Sequence, residues 1–178
     1  SAPIVAHENV RKRLETGGVG GNYDSFRFEY KALPKRGLPV VTFKDELTLH
    51  FNGEDIRAIH FPHGHTDGDS VIFFSASNVV HLGDDFFAGR FPFVDLESGG
   101  SVEGLIKNIG ELVNKIPADA KLIPGHGPIS TLDDLKSYHR MLQQTTEIVR
   151  GKIAAGKTLD QIKSEGLPDD WKTWGTGF

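Results

Sequence analysis

The sequence predicts one α/β unit in which strands come first and helices pack over them. Three observations carry this reading. Residues 40–60 mix apolar and polar side chains in a strand-like pattern around the pair Asn52-Gly53, the strongest short-range signal of a β-hairpin. SVIFF (70–74) and NVVHLGDDFF (78–87) are nearly continuous apolar runs, the pattern expected of strands covered on both faces. From residue 101 onward the apolar positions switch to helical spacing, so helices follow the strands.

In chain order, PIVA (3–6) reads as a short strand and ENVRKRLE (8–15) as a helix with Val10 and Leu14 turned inward. Its Arg11-Lys12-Arg13 run, the densest basic spot, is a solvated helix face. GGVGGNYDS (17–25) reads as a glycine-rich connector. Residues 26–39 form an irregular, proline-bounded stretch whose aromatic side chains cover something beneath. VVTF, ELTLHF and DIRAIHF then read as successive antiparallel strands, followed by the two apolar runs joined through a short turn.

Val102, Leu105, Ile106, Ile109, Leu112, Val113 and Ile116 define a helix for which Ser101 is the N-cap. KLIPGHGP (121–128) is a brief strand entering a tight turn. Thr131 caps a long helix with Leu132, Leu135, Leu142, Val149 and Ile153 on one face. Thr158 and Gln161 form a capping box opening a last short helix, which Gly166 ends. Trp171 and Trp174 are expected to pin the tail to the body.

The bulk properties narrow the function. At 178 residues the chain can bury a sizeable core. A formal charge of -4, a pI of about 6.0 and the lack of a basic stripe argue against a nucleic-acid partner. No apolar run approaches the roughly 20 residues of a membrane helix, and SAPIVAHENV has no signal-peptide pattern. The compartment stays undefined. The sequence contains no cysteine, which excludes disulfides and thiolate metal sites. No phosphate loop, nucleotide fingerprint or serine-nucleophile elbow occurs, so a metal-free ligand binder has little support. With 21 Gly and 9 Pro the chain is loop-rich, and function is expected on the loops.

Three polar clusters sit at expected strand ends or turns: His60/His63/His65/Asp67, His81/Asp84/Asp85, and His126. Imidazole and carboxylate donors suit zinc, with iron or manganese as alternatives. His65 and His126 each follow a glycine that lets the backbone turn and present the ring. Asp84 follows Gly83 at the end of an apolar strand, where an unpaired carboxylate is costly and a cation would neutralise it. His7, His50 and His139 read as solvated or hydrogen-bonded. Phe86, Phe87, Phe91 and Phe93, around Arg90, read equally well as a substrate mouth or as packing.

GHTDGDS (64–70), GDDFF (83–87) and PGHGP (124–128), in that order, resemble the last three metal motifs of the metallo-β-lactamase-fold hydrolases. AHENVRKRL resembles the strand and helix that follow that family's first metal motif, and GRFPFVDLESGGS an insert of one zinc-metallohydrolase subgroup. The resemblance implies an αββα sandwich, of which residues 1–178 are one domain supplying mainly the C-terminal sheet-plus-helices half and incomplete at its N-terminus. It implies that His65 and His126 each bind a metal and that Asp84 bridges the two. His60, His63, Asp67, His81 and Asp85 would be their supports, Asp67 foremost. The implied reaction is zinc-dependent hydrolysis of an ester, thioester, lactone or amide by a metal-bound hydroxide acting on a small molecule.

One part of the family pattern is missing. The signature H-x-H-x-D-H does not occur; His63-Gly64-His65-Thr66-Asp67 matches its first five positions and then continues with Gly68. That stretch also feeds a strand, SVIFF, where the signature should lead into a helix. The alternative reading is therefore a non-catalytic fragment or association module carrying a vestigial metal site. A lone half-sandwich exposes a sheet face, so self-association or a missing N-terminal half is expected.

Overall fold

The structure is a computed structural model describing residues 2–22 and 26–175. Its centre is a five-stranded sheet in the order β5-β6-β7-β8-β9. β5 (Glu46–Phe51), β6 (Glu54–His60), β7 (Ser70–Phe74) and β8 (Val79–Phe87) form an antiparallel meander, and β9 (Lys121–His126) joins β8 in parallel. The first turn is the expected one: Asn52 and Gly53 both take positive φ, 52° and 79°, as a type I′ hairpin requires. The parallel β8–β9 pair needs a crossover, which α2 (Val102–Lys115) supplies.

The sheet is covered on one face. Val71, Val80, Leu82 and Leu122 are buried together with Leu105, Ile109 and Leu112 of α2 and with Leu135, Tyr138 and Met141 of α3 (Leu132–Ala154). Ser101 caps α2 by accepting the Gly104 N–H, and Thr131 caps α3 in a reciprocal box with Asp134. The expectation that β7 and β8 are buried on both faces holds for one face only. Val80 and Leu82 are buried while Val79 and His81 are half-buried. By register, Leu49, Ile56 and Phe74 lie on the opposite face, as do Leu47, Ala58, Ile72 and His81. Ile153 also departs from its expected place: it is exposed, because the last turns of α3 pass the buried core, whose final α3 contact is Thr145.

The N-terminal region differs more from expectation. β1 (Val5–His7) pairs in parallel with β4 (Val41–Phe43), so β4 does not continue the meander. Within 17–25, residues Gly17–Asn22 form a strand, β2, paired antiparallel with β3 (Phe26–Lys31); Tyr23, Asp24 and Ser25 lie outside the described residues. The physical reason lies in the cross-strand pairs Gly18↔Tyr30 and Gly20↔Phe28. A Cβ on Gly20 would sit 2.5 Å from the Phe28 ring, so aromatic side chains of β3 cover glycines of β2. α1 (Glu8–Thr16) lies between these pieces, its Arg13 held by Asp67. α4 (Leu159–Glu165) opens on the Thr158–Gln161 box and ends at Gly166 with φ 63°. α5 (Asp169–Lys172) follows, and Trp171 and Trp174 pack against the core.

Candidate metal centre

The C-terminal ends of β8 and β9 lie side by side, and both are broken by their glycines. The β8–β9 register shifts between His81 and Gly83 and again before Phe87. Gly83 has φ 55°, which L-residues rarely adopt, and His81 Nδ1 accepts the Gly83 N–H at 3.0 Å. This bulge re-aims the next side chain, leaving the Asp84 carboxylate partly exposed at the strand end. Gly125 on β9 completes the seat: a Cβ there would meet Asp84 Oδ1 at 2.0 Å. The next residue, His126, stacks on Phe87 with ring centroids 4.5 Å apart.

His65 arrives from the loop between β6 and β7. Its Nδ1 lies 2.7 Å from the Phe93 carbonyl, so Nδ1 carries the proton and Nε2 presents a lone pair. That Nε2 is 3.5 Å from Asp84 Oδ2, and His126 Nε2 is 3.7 Å from Asp84 Oδ1. The structure thus brings His65, Asp84 and His126 together, one imidazole against each oxygen of a single carboxylate.

Buried polar groups hold the loop that carries His65. Asp85 Oδ1 accepts the His65 N–H at 3.2 Å, and the Asp95 N–H donates to the His65 carbonyl at 2.9 Å. Asp69 accepts both the N–H and the hydroxyl of Thr66, and Asn108 Nδ2 donates to the Pro62 carbonyl at 3.0 Å. Gly64 leaves room for these carboxylates, since a Cβ would approach Asp85 Oδ1 to 2.2 Å and Asp69 Oδ2 to 2.9 Å. Burial, and then the neighbouring Asp69, push the Asp85 carboxyl well above the usual carboxylate range. Among the described residues, its Oδ2 and the Tyr138 hydroxyl are buried with no hydrogen-bond partner of ordinary geometry. Burial, reinforced by the Asp85 charge, likewise drives the Tyr138 hydroxyl upward.

The other residues singled out from sequence lie elsewhere. Asp67 receives Arg13 in two bonds of 3.1 and 2.6 Å and so anchors α1; its carboxylate is engaged there, and Asp85 is the carboxylate hydrogen-bonded to His65. His60 stacks on His7 at 3.6 Å and lies 2.8 Å through Nδ1 from the Asp69 carbonyl. His63, at φ 55°, is exposed and reaches the Gly99 carbonyl at 2.9 Å. His50 pairs with Asp55, and His139 meets the Ile106 carbonyl. Sequence reasoning missed Asp95, Asn108 and Tyr138. An Asp95 tucked behind Phe91 and Phe93 in an apolar loop, and an Asn108 on the apolar stripe of α2, were the available signals.

Do these residues suit a metal? Ligands bound at about 2.0–2.1 Å to one tetrahedral zinc lie roughly 3.4 Å from each other, close to both nitrogen–oxygen separations. A lone pair facing a carboxylate oxygen is also repulsive unless a cation or proton lies between. Each imidazole–carboxylate pair therefore fits one edge of a metal's shell, and Asp84 suits a bridging position. The shells are not completed: among the described residues no group of three His, Cys, Asp or Glu side chains is arranged to hold a metal ion. Over the three side chains opens a cavity of about 560 Å3, walled by Phe26, Phe87, Phe91, Pro92 and Phe93. Phe86, by contrast, is core, packed on Tyr138.

The structure is similar to several solved metallo-β-lactamases. BLEG-1, a B3 metallo-β-lactamase, superposes with a TM-score of 0.63 at 21% identity, over 79% of this chain and 65% of that one. A metallo-β-lactamase from Pontibacter korlensis gives 0.51 at 21% identity over 60% and 50%. TMB-1 gives 0.52 at 18% identity over 61% and 50%. The chain thus spans between half and just under two thirds of these proteins, and identities this low show the fold alone. No curated protein matches. The model of the metallo-beta-lactamase superfamily matches residues 2–145, including the loop that carries His65 and the strand ends that carry Asp84 and His126, and the chain belongs to that superfamily.

Proposed function

We propose that this chain carries the substrate-side wall of a metal-dependent hydrolase acting on an ester, thioester, lactone or amide. The observation that carries the reading is Asp84 placed between two imidazole nitrogens, one facing each of its oxygens. His65, Asp84 and His126 would hold zinc, which when bound supplies a Lewis acid and lowers the pKa of water. The chain's own residues prepare that site. Phe93 fixes the His65 tautomer through its carbonyl, Asp85 holds the His65 backbone, and the Gly83 bulge presents Asp84. The aromatic walls lower the local dielectric around whatever charge the site holds.

A second reading, a non-catalytic module with a vestigial metal site, is favoured by one observation: each cation would receive only two donors from the described residues. Zinc measured on the purified chain by mass spectrometry, together with hydrolysis of p-nitrophenyl esters, separates the two. The hydrolase reading expects zinc to be taken up, and both zinc content and hydrolysis to fall in Asp84→Ala and His65→Ala. No zinc after reconstitution, or hydrolysis unchanged in both variants, rejects it.

A further inference from the structure

We propose that the cavity over His65, Asp84 and His126 selects an uncharged acyl compound with an apolar arm, the arm lying along the wall that Phe26 and Phe93 form together. That this compound is hydrolysed rests on the hydrolase reading above; that it binds does not.

The cavity combines two kinds of wall. Its polar side chains are His65, Asp84 and His126, gathered at one end. The rest is Phe26, Phe87, Phe91, Pro92 and Phe93. About 560 Å3 accommodates a small molecule. An acyl group reaching the polar end must run its remaining carbons along the rings. Among the described residues no lysine or arginine contributes to the lining, so a carboxylate on that arm would lose its hydration against apolar rings with no basic side chain beside it. The hairpin's own cation, Arg27, pairs with Glu97 at 3.2 Å.

Phe26 is brought to the cavity by the β2–β3 hairpin, and that hairpin is tethered. Asp95, itself buried, accepts the Gly21 N–H at 2.8 Å, and the Glu97 N–H donates to the Gly21 carbonyl at 3.2 Å. Phe26 then meets Phe93 edge to face, with centroids 5.9 Å apart, a favoured aromatic geometry. Gly21, at φ 117°, is required for this approach, since a Cβ would strike the Phe26 carbonyl oxygen at 2.0 Å. Phe26 nevertheless remains 58% exposed. A ring left in water at the rim of a cavity gains its burial when an apolar arm covers it. The same loop that donates the Phe93 carbonyl to His65 thus also supplies the Phe93 ring to the arm, joining selection to the polar site.

Ligand-observed NMR with three amides tests this: acetamide, hexanamide and adipamic acid, the last matching hexanamide in length but ending in a carboxylate. Hexanamide is expected to bind about tenfold or more tighter than acetamide, since each buried methylene contributes a few-fold, and adipamic acid no tighter than acetamide. Phe26→Ala, at an exposed position, should fold normally and reduce the hexanamide advantage to about threefold or less; Phe93→Ala, which keeps the backbone carbonyl, should do the same. Equal binding of hexanamide and adipamic acid, or a chain-length preference unchanged in both variants, overturns the proposal. The amide pattern without hydrolysis of any hexanoate ester supports it while rejecting the hydrolase reading.

Discussion

Asp85 holds the backbone of His65 through a 3.2 Å hydrogen bond, while its neighbour Asp84 faces the Nε2 of that same histidine. Two adjacent carboxylates on β8 therefore meet one residue at opposite ends, Asp85 holding its backbone and Asp84 facing its ring. Strand alternation sends one inward and one to the surface, and the two environments give them opposite characters.

Asp85 is the buried member of the pair. Its carboxyl is raised by burial and by Asp69, so the native state favours the protonated form. The stability cost of its charge appears as pH rises through the raised folded value and is absent below the unfolded value. Asp85→Asn, which keeps an acceptor for the His65 N–H, should match or exceed the parent in urea midpoint at pH 8. Asp85→Ala should lose roughly 2 kcal/mol, because it orphans a buried donor. An alanine variant as stable as the asparagine one would disprove this division of roles.

Arg13 and Asp67 join α1 to the loop after β6 in a two-bond, partly buried contact. The hydrogen bonding that Arg13 donates to Asp67 is the main reason the Arg13 pKa is raised. Arg13→Ala should cost about 1 kcal/mol in chemical denaturation. Arg13→Lys should recover only part, since an ammonium cannot match both oxygens. Full recovery by lysine would show that charge alone matters.

His7 is buried against His60 and Phe43. Burial, and next the neighbouring His60, lower its pKa below the ordinary value of 6.5; a hydrogen bond with the Lys44 backbone, then Glu8 and Asp67, oppose this without reversing it. The unfolded chain therefore binds the proton first. Stability from this site is complete above the unfolded value and declines as pH falls through 6.5 toward the lowered folded value. Urea midpoints between pH 7.5 and 5.5 should fall, and His7→Gln should flatten the decline. A parent profile that rises toward pH 5.5 would reverse the sign.

The sheet face opposite the helices carries Leu49, Ile56 and Phe74 in register, with Leu49 39% exposed on the edge strand β5. An apolar face beside an open edge favours a second copy of the chain. Light scattering after size exclusion should give a mass above the monomer, and Leu49→Lys should shift it downward. A monomer in the parent at high micromolar concentration would refute the association.

Local signals in the sequence determined much of the fold: the Asn52-Gly53 turn, the caps at Ser101, Thr131 and Thr158, and the period change between β8 and α2. Each is a short-range steric or hydrogen-bonding preference that neighbouring residues satisfy themselves. The sequence also singled out His65, Asp84 and His126, through the resemblance of the three motifs that carry them, each with a glycine beside the donor residue. Tertiary structure decided the rest. Gly17–Asn22 became a strand only because β3 rings cover its glycines, and β4 chose β1 over β5. Asp67 went to Arg13, leaving Asp85 to hold His65. Such choices depend on partners distant in the chain, whose competition for the same backbone or carboxylate leaves no mark on the local pattern.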